Sequence, residues 1–435
     1  MDNHLFECDI SDNVDNSDNS DCASNLCSEL DAYLVEDMRI SRQESVHASS
    51  LLSQINGVQS LSCKRVLCAS LLGLVMQKRK RREYVSRLVI YSNASLLQSY
   101  IKLRGGDAEI EVFDIPDVKF DLDSYGPKEA FAYFRFSCSE LRRVCQALRI
   151  PSVVVSSEMD RCSGLEVLAM LCMSYAYPGR MLELVKRFGT SISRISRLIS
   201  TLRTYLFETF YPGMCRPKLI PPSKMQEFEK AIFDQCGVNG IFGFIDATVR
   251  PTCKPELFQN AVYNGKDKTH ALKYQLLCTP DGIMRHLSGP YCGSRHDQHM
   301  VHKSDVLGWV TKHPRSPEGR QYVIYADAGY AIAPGLLRPY ADERINIAHK
   351  AANEIMSSVR ICVEWEFGDI VNHWAAVNFK PRQVILNGSK PGQQYIVAAL
   401  LSNCKNCLSP CRTSLFFDCA PPLLEDYVES LTNLL

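Results

Sequence analysis

The stretch "FGFIDATVRP", residues 242–251, reads as a short buried strand that closes on an acid, Asp246. A carboxylate seldom goes inside a protein unless it is paired or holds a metal. Asp246 therefore needs partners, and the residues downstream of it offer three.

After "FGFIDATVRP" the pattern continues as strands and helices. "HALKYQLLCTPDGIMRHLSGP" (270–290) reads as two strands joined at the turn "PDG". "HDQHMVHKSDVLGWV" (296–310) has helical spacing, "RQYVIYADAGY" (320–330) is a strand that also ends in an acid, and "ANEIMSSVRICVEWEFGDIV" (352–371) is a long helix. Three strands, a helix, a strand and a helix is the order an RNase H-like mixed α/β domain requires. On such a sheet the first and fourth strands are neighbours, so Asp246 and Asp327 emerge at one edge. Glu364 lies on the helix expected to cross that edge.

Three carboxylates without a His or Cys partner make a hard-oxygen site, suited to Mg²⁺ or Mn²⁺ rather than zinc. Two such ions about 4 Å apart clamp the attacking and leaving oxygens of a phosphodiester. Asp297, in "GSRHDQHM", is a fourth acid that either joins the metal group or caps a helix. Glu366 is roughly 200° around the helix from Glu364 and cannot share its site. Arg360, one turn before Glu364, shares its face and is placed to orient it or to touch phosphate. Each acid taken singly reads more readily as a cap of a helix or turn; only their joint placement on one fold favours the metal.

Upstream, three helical segments run in sequence. "GLEVLAMLCMSYAY" (164–177) is stopped by Pro178 and Gly179, "RMLELVKRF" (180–188) follows, and "GTSI" turns into "SISRISRLISTLRTYL" (191–206). Ile192, Ile195, Leu198, Ile199, Leu202 and Leu206 share one face of the third helix, with Arg194 and Arg197 off it. A short glycine-containing turn between two helices, the second bearing Arg and Ser outward, is a helix-turn-helix arrangement. Lys186, Arg187, Arg194 and Arg197 are its candidate DNA contacts. A plain helical hairpin is the alternative, but residues 141–206 hold ten Lys/Arg against four Asp/Glu.

Net charge is only +1, which conceals an acidic opening of eleven Asp/Glu and no Lys or Arg in residues 1–37. That low-complexity tail reads as disordered. "KRKRR" (78–82) is a basic cluster of the nuclear-import type, and "VLCASLLGLVM" (66–76) is too short to span a bilayer. No membrane partner is expected. The nineteen cysteines are scattered along a chain of 435 residues with no secretory pattern at its start, which favours reduced thiols. Cys404, Cys407, Cys411 and Cys419 do not match a ribbon or knuckle spacing, and a buried helix explains them more simply.

The expected fold is thus α/β. An RNase H-like mixed-sheet core (236–420) follows an all-α helix-turn-helix region (129–215), a helical stretch with the basic cluster and an extended linker (41–128), and the disordered acidic tail (1–40).

The motifs "GFIDATVRP", "QNAVYNGKDKTHALKYQ", "GPYCGSRHDQHM", "YADAGYAIAPGLLRPY" and "MSSVRICVEWEFGDI" together resemble the PIF/Harbinger superfamily of DDE transposases. "EAFAYFRFSCSELRRVCQALRIP" and the helix-turn-helix resemble the region before its catalytic core. The resemblance covers roughly residues 125–430. It implies a nuclear enzyme that cuts DNA at transposon ends and joins them to a target, using Mg²⁺ or Mn²⁺. By matching motif, Asp246, Asp327 and Glu364 correspond to the catalytic triad and Asp297 to a fourth acid in or beside the metal site. The implied partners are double-stranded DNA, a Myb-like accessory protein and further copies of the chain. Two alternatives stay open: a domesticated, non-catalytic DNA-binding or chromatin protein that keeps the fold, and a general metal nuclease.

Overall fold

The computed structural model describes residues 115–432 except 217–219, 313–314, 317, 341–345 and 386–388. The acidic tail, the helical stretch after it and the "KRKRR" cluster lie outside the described residues.

The first half is mostly helical. Helix α1 (Pro127–Phe134) starts on a proline, whose missing N–H costs nothing there, and ends at Arg135 in the left-handed region. Helix α2 (Cys138–Ala147) opens on a capping box in which Ser137 and Glu140 satisfy each other's backbone N–H groups. Strands β1 (Val153–Val155) and β2 (Arg161–Ser163) then form an antiparallel hairpin. This corrects the expectation of an all-α region. Three consecutive β-branched valines resist the helix and favour a pleat, and Ser156 and Asp160 close the turn through backbone and side-chain bonds.

Helix α3 (Gly164–Ala176) is buried over most of its length, as its nearly unbroken apolar sequence demands. Helix α4 (Met181–Phe188) ends at Gly189 with φ +55°. A side chain there would also collide with the Val118 carbonyl, so glycine lets residues 116–118 lie against the turn. The segment read as a linker is accordingly anchored: the ring of Phe120 lies 5.0 Å from that of Phe188. Helix α5 (Ile192–Met214), capped by Ser191, and helix α6 (Pro222–Cys236) complete this half.

The second half follows the expected order. It runs β3 (Ile241–Pro251), α7 (Gln259–Val262), β4 (Tyr263–Asn264), β5 (Thr269–Cys278), β6 (Met284–Cys292), α8 (Asp297–Ser304), α9 (Val306–Lys312), β7 (Val323–Tyr325) and β8 (Leu336–Leu337). Helices α10 (Ile347–His373), α11 (Pro391–Leu408), α12 (Arg412–Phe416) and α13 (Leu424–Thr432) close the chain. Strands β3, β5 and β6 form an antiparallel meander, while β7 pairs parallel to β3 and β8 parallel to β7. The order β6-β5-β3-β7-β8, with β4 also on β5, is a mixed sheet consistent with an RNase H-like core. Helices α8 and α9 form the crossover that a parallel β3–β7 pair requires.

The two halves share one continuous apolar core from Leu122 to Leu431. Trp374, fully buried after α10, sets its ring near those of Phe136 and Tyr175 and donates its indole N–H to Ser402 at 3.0 Å. Helix α13 returns to lie on α5 so closely that a Cβ at Gly213 would overlap the Leu431 carbonyl oxygen. Arg143 of α2 grips Glu425 of α13 through two bonds of 2.7 Å.

Gly213→Ala should force α13 away from α5 and cost about 1–3 kcal/mol, the usual penalty for overpacking a core. A thermal melt of variant against wild type measures the loss.

Candidate active site

Strand register brings the first two acids together. Phe244 of β3 pairs in parallel with Tyr325 of β7, and Asp246 and Asp327 lie two residues beyond each. Adjacent strands are about 5 Å apart, so the two carboxylates leave the sheet side by side. Asp246 turns Oδ1 toward its own chain, accepting the Ala247 N–H at 2.7 Å. Asp327 accepts the Gly329 N–H at 2.8 Å as the chain turns out of β7.

The third acid comes with α10. Its stripe of Met356, Val359, Cys362, Val363, Phe367 and Ile370 is buried against the sheet, with Cys362 Sγ 3.8 Å from Cys278 Sγ of β5. That seating turns Arg360 and Glu364 toward the end of β3. Arg360 donates Nη1 to Asp246 Oδ2 at 2.6 Å and Nη2 to Glu364 Oε1 at 3.1 Å. One guanidinium thus bridges two of the three predicted acids.

Burial pushes the Asp246 carboxyl up to about 6, and the Asp327 charge adds to the rise while the Ala247 N–H and Arg360 oppose it. Asp246 is the desolvated member of the group, and Glu364, 55% exposed, is its solvent-facing end.

Asp297 has a cation of its own. Lys273 of β5 bonds it at 2.9 Å and the Arg295 carbonyl at 2.7 Å, fixing the start of α8. The hydroxyl of buried Tyr330 accepts from Gln275 Nε2 at 3.3 Å. Burial raises the Tyr330 pKa well above its usual value, and the charges of Asp246, Asp297 and Asp327 push it further. Lys273, Gln275 and Tyr330 are site residues that the motif reading passed over. The signal was present: Lys273 and Gln275 alternate with Leu272, Tyr274 and Leu276 in "HALKYQLLC", giving a strand with one polar face.

As a donor set, Asp246, Asp327 and Glu364 offer only oxygen, the ligand type of Mg²⁺ and Mn²⁺. Their spacing is less complete. Among the described residues no group of three or more His, Cys, Asp or Glu is close enough to hold an ion. Arg360 stands between Asp246 and Glu364, taking one oxygen of each, so the donor chemistry suits a divalent cation while the guanidinium holds the place between these two acids.

Glu366 faces away from Glu364, as helix geometry requires. It is buried against α11 and α12, accepting from Thr413 Oγ1 at 2.6 Å and Asn406 Nδ2 at 3.2 Å. Burial raises its pKa to about 8. In the cysteine cluster, Cys404 is fully buried in α11, burial pushes the Cys407 thiol up to about 12, and Cys419 bonds Glu227 at 3.3 Å.

The predicted DNA-contacting residues sit on α4 and α5, already engaged within the chain. Arg197 holds Asp160 of the hairpin turn through bonds of 2.6 and 3.1 Å, keeping that carboxyl below the usual range. Arg194 donates to the Arg161 carbonyl at 2.6 Å. Arg187 lies over the Tyr133 ring, bonds its hydroxyl, and pairs with Glu129 at 3.9 Å. Lys186 pairs loosely with Glu183 at 3.4 Å and is the most exposed of the four.

Residues 245–403 match the family model described as DDE superfamily endonuclease, a span that contains Asp246, Asp297, Asp327, Arg360 and Glu364. The match supports a DDE transposase-like nuclease and, with it, DNA binding. No curated protein and no solved structure matches the chain. Among the described residues no helix is long and apolar enough to cross a membrane.

Glu366 binds a proton more tightly folded than unfolded, so its contribution to stability is full below its ordinary value of 4.5 and is lost as pH rises toward about 8. Glu366→Gln should remove that decline. Chemical-denaturation midpoints across this window, for wild type and variant, would show a flatter curve for the glutamine protein.

Proposed function

We propose that this protein is a divalent-metal-dependent transposase of the PIF/Harbinger type, cleaving DNA at transposon ends and transferring the freed strand. The observation that carries this reading is the parallel register of β3 and β7, which sets Asp246 beside Asp327 within the stretch that matches the endonuclease model. Asp246, Asp327 and Glu364 are the residues that would hold Mg²⁺ or Mn²⁺. When bound, the ions supply activation of the attacking water or 3′-hydroxyl and charge relief at the leaving oxygen.

The chain's own residues supply the placement. Strands β3 and β7 fix two carboxylates at a rigid sheet end, and α10 carries the third across it. Lys273 keeps Asp297 anchored at the start of α8, so Asp297 enters this reading as a neighbour of the metal group rather than a ligand. Helices α4 and α5 are the proposed duplex contact, with their arginines exchanging internal partners for phosphate. The "KRKRR" cluster fits nuclear import. A Myb-like accessory protein and self-association belong to the same proposal.

A second reading is favoured by the guanidinium seated on Asp246 and Glu364: a non-catalytic DNA-binding or chromatin protein that keeps the transposase fold. Cleavage of DNA carrying the element's own ends, with and without Mg²⁺, decides between them. On the transposase reading, Asp246→Ala and Glu364→Ala each abolish cutting while DNA binding persists. If Asp246→Ala cuts as well as wild type, the site is misassigned; if wild type never cuts, the non-catalytic reading stands.

Arg194→Ala combined with Arg197→Ala should weaken DNA binding and lower the slope of log affinity against log salt by roughly 0.9 per lost phosphate contact. An unchanged slope, measured by fluorescence anisotropy over a salt series, would remove α5 from the interface.

A further inference from the structure

We infer that Arg360 is a positioning residue that fills the cation place between Asp246 and Glu364 until a divalent ion displaces it. The inference rests on the metal-site reading of Asp246, Asp327 and Glu364 and adds a competitor to it.

Both oxygens of Asp246 are in use: Oδ1 accepts the Ala247 N–H at 2.7 Å and Oδ2 accepts Arg360 Nη1 at 2.6 Å. The backbone bond is fixed by the strand, so an incoming ion meets the guanidinium at the other oxygen. Arg360 and Asp246 are only 18% and 16% exposed, which makes their pairing less screened than a surface ion pair. The second donor, Nη2, reaches Glu364 at 3.1 Å. One planar fork thus holds a carboxylate from the sheet and one from the crossing helix in register.

Without some cation there, Asp246 and Asp327 would face each other at the sheet end with Asp246 desolvated, an arrangement two carboxylates resist. Arg360 relieves this while the site is empty. The exit is available, because Glu364 faces solvent and α10 itself, anchored by its buried stripe, need not move. Since the guanidinium and the ion compete for Asp246, each weakens the other's hold by the same factor.

Full-length wild type, Arg360→Gln, Arg360→Lys and Asp246→Asn would be titrated with Mn²⁺, following the free-ion signal by electron paramagnetic resonance. Arg360→Gln should bind Mn²⁺ about tenfold tighter, a difference of about 1.4 kcal/mol. Arg360→Lys should fall between, because an ammonium keeps the charge but cannot fork across two acids. Asp246→Asn should bind more weakly than wild type. A purely structural role for Arg360 predicts the opposite sign, since a loosened site would lose affinity.

Arg360→Gln binding no tighter than wild type would overturn the inference. So would Arg360→Lys binding like wild type, because long-range charge alone would then account for the gain. Equal binding by wild type and Asp246→Asn would instead overturn the metal-site reading beneath it, a failure visible without reference to Arg360.

Discussion

Everything at the candidate site follows from a short stretch of parallel pairing in which Phe244 of β3 lies beside Tyr325 of β7. Because strand geometry repeats every two residues, that register also decides where Asp246 and Asp327 leave the sheet. Two acids at neighbouring strand ends repel, and one of them is largely buried. The fold must therefore deliver positive charge to that point, and it does so from α10, more than a hundred residues later in the chain.

Similar compensation recurs through the molecule. Lys273 answers Asp297 beside the sheet, Arg197 answers Asp160 at the hairpin, and Arg143 answers Glu425 where the last helix docks. These pairs differ in weight. The exposed Arg143–Glu425 pair contributes little, whereas a half-buried charge left alone is costly. Glu366 shows the other solution: a buried carboxyl with only neutral donors around it keeps its proton into the neutral range. Among the carboxyls at and near the sheet, Asp246 is met by a cation and Glu366 keeps a proton.

The helical half gains its role from the same economy. Its core is continuous with that of the sheet half, so α5 is a wall of the protein as well as a candidate surface for DNA. Arg194 and Arg197, which on a helical wheel look idle and outward, fasten α5 to the β1–β2 hairpin. A nucleic-acid contact through these residues would require them to leave that hairpin, which couples binding to its stability.

Much of this was legible in the order of residues. Short apolar runs ending in acid marked β3 and β7, "PDG" marked the turn between β5 and β6, and the 3.6-residue period placed Glu364 and Glu366 on opposite sides of one helix. Such features depend on neighbours within a few positions, which a sequence displays directly. The hairpin at Val153–Val155 was missed because a three-residue strand has too few positions to show a period, although its valines were a hint. Long-range placement decided the rest. That Arg360 would reach Asp246, that Lys273 would take Asp297, and that Gln275 would bond Tyr330 depend on the angle at which α10 crosses the sheet and on the path of the chain after β7. Those are set by the packing of the whole core, and no local run of residues contains them.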